Sequence, residues 1–200
     1  MYGMVNGAIL EWVSRQYGEE TAQEVRRKAN LETNVFINME QYPDQESFAL
    51  VGASADILEK SPAEMLEEIG EYWIEYALKS DYGDLLRMAG DTLPEVLMNL
   101  DNLHVRIGNA FPKLEPPSFW CTEVAEESLH LHYSSHRPGM APMIAGLIKG
   151  LGTMLGVTCT VQQAAFRDQG ADHDVFWVQY SNSALPESNR VSVVDQSDQQ

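Results

Sequence analysis

Apolar residues change their spacing at Pro116 and Pro117, and this change constrains the fold more than any other feature of the sequence. Upstream of the two prolines, apolar residues recur every three or four positions, which is the period of one helix face. Downstream, apolar and polar residues alternate, which is typical of strands with one buried face. The sequence therefore predicts an α+β protein, with helices in its first part and mainly strands in its second.

The clearest helix start lies at Ser61. Its hydroxyl can cap a helix that carries Pro62 in the first turn, and Glu64 can complete a capping box. The predicted inner face of this helix consists of Met65, Ile69, Tyr72, Trp73 and Tyr76. Further helices are predicted from the amino terminus to Gly18, over residues 19–29, over YGDLLRMAG, and over DTLPEVLMNLDNLHVRIGNAF.

A histidine lies on the apolar face of the last of these helices. Alternating steps of four and three residues place the following side chains together: Leu93, Leu97, Leu100, His104, Ile107 and Phe111. His104 therefore points where core residues point. Because a buried polar group needs a partner, the pattern alone fits either a hydrogen-bonded core histidine or a metal ligand.

Four strands are predicted after the prolines, in two pairs separated by a crossover helix. The strands are SFWCTEV, SLHLHYSS, TCTVQQAAF and DVFWVQY, and the helix is GMAPMIAGLIKGLGTML. From Ser181 onward the residues are polar and offer little to bury, so residues 181–200 are predicted to be a disordered tail that follows a domain of residues 1–180.

Three hydrogen-bond donors share one face of the second predicted strand. Alternation along LHLHYSSHR places Tyr133, Ser135 and Arg137 beside leucines, whereas the other face carries His130, His132, Ser134 and His136. A guanidinium with two hydroxyls suits a carboxylate or a phosphate. The natural ligand then has acidic arms and an apolar body, and heme satisfies both demands. The alternative is an exposed strand face with Arg137 in a surface ion pair.

Composition excludes several classes of partner and site. Thirteen basic against 30 acidic residues give a net charge of −17, which repels nucleic acid and anionic membranes. Cys121 and Cys159 are too few for a disulfide framework or a four-thiolate zinc site. The histidines on the outer strand face, with His173, are expected to be surface residues. Neither a signal peptide nor a spanning apolar run is visible, so a soluble, cytoplasmic protein is expected.

The segments MYGMVNGAI, GEYW, NLDNLHVRIG, PPSF, YSSHR and AFRDQGADHDVFWVQY together identify a family. Over residues 1–180 the chain resembles the heme nitric oxide/oxygen binding (H-NOX) domains, which are related to the heme domain of soluble guanylate cyclase, and it is similar to cyanobacterial stand-alone members. The resemblance implies the H-NOX fold. That fold has an amino-terminal helical distal subdomain and a carboxy-terminal proximal subdomain, with a long histidine-bearing helix and a four-stranded antiparallel sheet.

The resemblance also implies roles for individual residues. His104 would be the axial ligand of a heme b iron, while Tyr133, Ser135 and Arg137 would hold the propionates. Pro117 would press on the porphyrin and help to bend it. The distal side would include Val5, Trp73, Leu100 and Met143. Relatives with a structural zinc surround it with several cysteines, which this sequence lacks, so no zinc is expected.

Met143 decides which gas is expected. Oxygen-binding relatives carry a tyrosine at about this place, and a thioether has no proton to donate to bound oxygen. The resemblance therefore implies a non-enzymatic sensor of nitric oxide, which also binds CO and discriminates against O₂. An indole N–H from Trp73 could donate in its place if it faced the gas.

Signalling through a weakened Fe–His104 bond requires a partner, and a histidine kinase or a cyclic-dinucleotide enzyme is expected. Two other functions remain open on the residues alone. His104 could be the general base of an enzyme in which Arg137 orients a small carboxylate substrate, although no nucleophile, catalytic carboxylate pair or phosphate loop accompanies it. The chain could also be a heme-free adaptor that binds an acidic lipid or a porphyrin precursor.

Overall fold

Helices occupy the first part of the chain and strands most of the second. The computed structural model describes residues 1–31, 33, 35–80, 83–110 and 114–181. The helices described are α1 (Gly3–Tyr17), α2 (Glu19–Lys28), α3 (Asp44–Leu58), α4 (Pro62–Lys79), α5 (Gly83–Arg87), α6 (Leu93–Ala110) and α7 (Ala141–Leu155). The strands described are β1 (Ser118–Thr122), β2 (Ser128–Ser134), β3 (Thr158–Ala165) and β4 (Asp174–Ser181). The predicted α+β class is confirmed.

The chain divides into two units. The amino-terminal unit comprises Met1–Ala77 with Gly139–Leu147, and the carboxy-terminal unit comprises Leu78–Pro138 with the chain from Ile148 onward. The first unit is helical, whereas the second contains α6 and the whole sheet. This division matches the predicted helical subdomain and the predicted subdomain with the histidine helix and the sheet.

The capping box at the start of α4 forms as predicted. The Ser61 hydroxyl accepts a hydrogen bond from the Glu64 backbone N–H at 3.2 Å, and the Glu64 carboxylate accepts one from the Ser61 backbone N–H at 2.8 Å. The Ser61 hydroxyl also donates to the Glu64 carboxylate at 2.7 Å, and this bond, followed by the one from the Ser61 backbone N–H, lowers the pKa of Glu64. The reciprocal bonds fix where α4 begins and hence which side chains face the core.

Helix α3 was not predicted from the sequence. Its buried side includes the small residues Ser47, Ala53, Ser54 and Ala55. Small residues give little contrast in hydropathy between the two faces of a helix, so the apolar period that marks the other helices is weak here. The helix is recognisable only once α1 and α2 pack against it.

Glycines let α4 approach the first turns of α7 within the amino-terminal unit. A Cβ added at Gly70 would lie 2.2 Å from the Met143 carbonyl oxygen, and one added at Gly146 would lie 1.9 Å from the Glu67 carbonyl oxygen. Both distances are far below van der Waals contact, so only glycine fits. This close backbone contact fixes the position of Met143.

The sheet is antiparallel throughout, in the strand order β1-β2-β4-β3. Leu129, Leu131 and Tyr133 of β2 are buried, while His130 and His132 face the other side and are half-buried. The predicted alternation is therefore confirmed along β2. Among the described residues, no helix has the length and apolarity that a bilayer crossing requires.

Two predictions concern residues at or beyond the limits of the ranges that the structure describes. Ser181, placed at the start of the predicted tail, is instead the last residue of β4, where it pairs with Thr158 of β3. The rest of that tail, residues 182–200, lies outside the described residues, as do Phe111 and Pro112.

Candidate functional site

The imidazole of His104 is locked in one tautomer. Its Nδ1 lies 2.8 Å from the Leu100 carbonyl oxygen, which is one turn earlier on α6. Because a carbonyl can only accept, Nδ1 carries the proton and the Nε2 lone pair is left for a ligand. Burial lowers the pKa of His104 below its ordinary value of 6.5, although the Leu100 carbonyl and the Asp101 charge oppose that shift. At neutral pH the ring is therefore uncharged, as metal ligation requires.

The apolar face of α6 is buried in the first part of the helix and only half-buried in the second. Leu93 and Leu97 are 1% and 0% exposed. From Leu100 onward, the same face is only half-buried at Leu100, His104 and Ile107. The prediction that His104 shares the apolar face is confirmed, but the chain does not bury that face completely. Partly exposed apolar side chains thus lie one turn before and one turn after the imidazole.

Phe119 connects His104 to the sheet. Its ring stacks on the imidazole, with centroids 5.4 Å apart and an interplanar angle of 21°, and its other neighbour is the Tyr133 ring at 5.3 Å. The backbone N–H of Phe119 also donates to the Asp101 carboxylate at 3.1 Å. Phe119 was not predicted as a site residue. Alternation along β1 places it on the inner face with Cys121, and that signal could have found it.

Tyr133, Ser135 and Arg137 lie together, but not for the predicted reason. The strand ends at Ser134, so Ser135 and Arg137 follow it in a bend rather than sharing its face. The Ser135 hydroxyl accepts from the Arg137 backbone N–H at 3.1 Å, and Arg137 Nη1 donates to the Glu115 carbonyl oxygen at 3.2 Å. Local hydrogen bonds therefore position Ser135 and Arg137 beyond the end of the strand.

The Tyr133 phenol is placed as a donor. Burial raises the pKa of Tyr133 and the charge of Asp174 adds to that shift, while a hydrogen bond with Ser135 and the charges of Arg137 and Arg167 oppose it without reversing it. The phenol stays protonated at neutral pH and can donate to an anion. Together with the guanidinium of Arg137 and the Ser135 hydroxyl, it forms a set of groups that suits a carboxylate; we call these three residues the clamp.

Pro117 lies directly before β1, between two of these contacts. It is half-buried, with Glu115 on one side along the chain and Phe119 on the other. Because Glu115 binds Arg137 and Phe119 stacks on His104, the segment that carries Pro117 is fixed at both ends.

The predicted gas-pocket residues fall in both units. Val5, Trp73 and Met143 belong to the amino-terminal unit and Leu100 to the other. Met143 is buried in the amino-terminal core, and Val5 and Trp73 are partly buried side chains packed against that core. Trp73 stacks on Tyr76 with ring centroids 6.1 Å apart. The structure therefore brings Val5, Trp73 and Met143 into one apolar cluster.

Histidines on the outer face of the sheet pair with one another or with carboxylates. His132 Nδ1 lies 2.8 Å from His173 Nε2, and His130 Nδ1 lies 3.1 Å from the Glu123 carboxylate. His136, beyond β2, lies 3.3 Å from the Glu115 carboxylate. Within the described ranges, no three histidine, cysteine or acidic side chains are grouped so that they could hold a metal ion. A bare metal centre built from side chains alone is therefore not what the described chain offers.

A family model matches most of the chain. The sequence model of the Haem-NO-binding family matches residues 2–163. Soluble guanylate cyclase gcy-31 of Caenorhabditis elegans is 29% identical over 184 residues, a match that covers 91% of this chain and 26% of the cyclase. Soluble guanylate cyclase gcy-32 of the same organism is 30% identical over 168 residues, covering 81% of this chain and 25% of the cyclase. The chain thus spans about a quarter of the length of these relatives.

Solved structures share the fold. An H-NOX protein from S. oneidensis in the Fe(II)NO ligation state superposes with a TM-score of 0.82 at 18% identity, covering 91% of this chain and 100% of that one. An Fe(II) unliganded H-NOX protein from K. algicida gives a TM-score of 0.78 at 21% identity, covering 90% and 97%. The matched region is a sensor domain rather than a catalytic one. The chain belongs to the Haem-NO-binding, or H-NOX, family.

Proposed function

We propose that this chain is a heme-based sensor that binds nitric oxide, and also CO, and that discriminates against O₂. The observation that carries the proposal is the state of His104, whose ring is neutral, with its proton on Nδ1 and a lone pair on Nε2. A structural core histidine does not need that lone pair, whereas a heme ligand does.

The residues around His104 fit heme b. The half-buried stretch of α6 from Leu100 to Ile107 gives the apolar surface that a macrocycle would cover. The clamp gives the donors that propionates require, and it is linked to His104 through Phe119. When bound, the heme would supply an iron able to bind a diatomic gas, and His104 Nε2 would hold that iron. We further propose that Pro117 presses on the porphyrin and that no structural zinc is present, since the sequence holds two cysteines only.

We propose that the signal begins with a change in the force that the bound group exerts on His104. Asp101 and His104 tie α6 to β1 through the Phe119 backbone and the Phe119 ring. A weaker bond between His104 and the iron would change the force on α6. Phe119 would transmit that change to the sheet. We propose that a histidine kinase or a cyclic-dinucleotide enzyme reads the change. The names of the cyclase relatives make a nucleotide cyclase a further candidate partner.

The test of the proposed function uses the purified protein, expressed with ample heme. A Soret band should be present, and the reduced protein should shift it on addition of NO or CO but not in air. Two variants sharpen the test of gas selectivity. Met143→Tyr adds a phenol and should gain a lasting O₂ complex, whereas Met143→Leu, which adds no donor, should behave like the wild type. Absence of a Soret band would overturn the heme sensor, and a stable wild-type O₂ complex would overturn the selectivity.

A further inference from the structure

A second arginine, Arg167, reaches the clamp from the connection between β3 and β4. It opens a short 3-10 turn, Arg167–Gln169, and its Nη1 donates a hydrogen bond to the Ser135 carbonyl oxygen. Arg167 was not predicted as a site residue, although it lies in the segment AFRDQGADHDVFWVQY. Its contact spans 32 residues of sequence, so no local pattern predicts it.

The backbone of Arg167 is fixed independently of its side chain. Its N–H donates to Asp174 Oδ1 at 2.9 Å, and Gln163 Nε2 donates to the same oxygen at 2.8 Å. Asp174 is buried at the start of β4, directly opposite Tyr133 in the β2–β4 register. One end of Arg167 is therefore anchored to the residue paired with the clamp tyrosine, and the other end contacts the clamp serine.

The number of positive charges at the clamp is what makes Arg167 relevant to a ligand with two carboxylates. A heme carries two propionates, and the clamp residues include one cation, Arg137. His136 Nε2 lies 3.3 Å from the Glu115 carboxylate, so His136 does not supply an unpaired positive charge. In a chain with net charge −17, two further carboxylates need local positive charge. Arg167 is close enough to Tyr133 for its charge to act on the phenol alongside that of Arg137.

We propose that Arg167 is the second cation of the propionate site, and that its bond to the Ser135 carbonyl holds its positive charge beside the clamp. This inference rests on the proposed function. Arg137 and Arg167 then balance the two propionates, one guanidinium for each negative charge. The bond to the Ser135 carbonyl matters because an arginine side chain that is already held in place loses less entropy when it meets an anion, while Asp174 fixes the backbone from which that side chain projects.

The experiment measures how fast holoprotein gives up heme to an excess of apoglobin. Arg167→Gln should release heme about tenfold faster than the wild type, since it loses a charge-assisted contact. Arg167→Lys keeps the charge and should recover much of that loss. Arg27→Gln, which removes an exposed arginine from α2, is the matched control and should release heme at the wild-type rate. Circular dichroism of each variant checks that the β3–β4 connection still folds.

A second arm separates charge from structural support. With heme dimethyl ester, whose arms are neutral, Arg167→Gln and the wild type should release the ligand at equal rates. With natural heme, high salt should bring the two rates closer together. A variant that stays faster with the ester, or whose ratio to the wild type ignores salt, would assign Arg167 to structural support only and overturn the proposal. Wild-type rates in Arg167→Gln, in a protein that still holds heme through His104, would overturn it while leaving the proposed function standing. Failure of the wild type to retain heme would overturn both.

Discussion

Helices α4 and α6 have the same length and the same kind of sequence, yet the apolar face of α4 is buried over more of its length. Each has 18 residues and an apolar face at helical spacing. On α4, Met65 and Ile69 are almost fully buried and Tyr72 is buried with them. Trp73 and Tyr76, near the end of the same face, are half-buried. On α6, burial stops after Leu97, although the apolar face continues through His104 to Ile107. An apolar face thus shows that something covers it, but not whether the cover is protein or ligand.

The polar groups of the two helices differ in the same way. On α4, the Tyr72 hydroxyl donates to Glu11 and accepts from Arg15, so its needs are met within the amino-terminal unit. On α6, one nitrogen of His104 is satisfied by its own helix and the other is left with a lone pair. Apolar surface and an available nitrogen occur on the same stretch of α6. That coincidence distinguishes a ligand site from incomplete packing.

The largest expected effect tests the two halves of α6 against each other in the apoprotein. Leu97→Ala removes a fully buried side chain and should lower the free energy of unfolding by about 3 kcal/mol. Leu100→Ala alters a half-buried position and should cost less than half of that. Urea unfolding of both variants measures the difference.

With heme bound, Leu100→Ala should affect ligand retention more than Leu97→Ala does. Leu100→Ala should then release heme faster than the wild type, because the macrocycle loses apolar contact. Equal destabilisation of the apoprotein by the two variants would show that the chain itself covers α6 along its whole length.

A smaller effect is expected at the start of α4, where no ligand is involved. Ser61→Ala removes the hydroxyl that accepts the Glu64 N–H and should cost about 1 kcal/mol of unfolding free energy. Ser61→Thr keeps a hydroxyl and should stay near the wild type. The rate of heme release should be unchanged in both variants. A large change in that rate would contradict the view that the start of α4 is covered by protein alone.

The smallest effect concerns the pH dependence of apoprotein stability. Burial lowers the pKa of folded His104 below 6.5, so just below that pH the unfolded chain binds more protons than the folded one. Stability should therefore fall as the pH drops through 6.5. His104→Gln should flatten part of this fall. His132, whose pKa is also lowered by burial and by His173 and His130, contributes in the same direction, so His132→Gln is the comparison variant. An unchanged slope in His104→Gln would show that its pKa is not depressed.

Local patterns predicted much of the fold because they record how single elements bury themselves. The change of period at Pro116 and Pro117 correctly separated helices from strands, and the capping box correctly placed the start of α4. Helix α3 was missed because its buried small residues give weak contrast. Alternation was correct along β2 but was extended past Ser134, where side-chain to backbone hydrogen bonds bend the chain.

The site was only partly predictable for a related reason. His104 and the tyrosine, serine and arginine of the clamp lie in short motifs, so the sequence points to them directly. Phe119 and Arg167 act through contacts with distant segments, which no spacing rule encodes. The half-buried state of His104 was also beyond the sequence, since the periodicity that predicts an inward face is the same for a closed and an open core.

The most direct test of the account is the absorption spectrum of the ferrous His104→Gly variant, recorded before and after addition of imidazole. If the Nε2 of His104 holds the iron, the variant should lose the wild-type ferrous spectrum, and free imidazole should restore it. A wild-type spectrum in the variant without imidazole would show that another residue ligates the iron and would contradict the central claim.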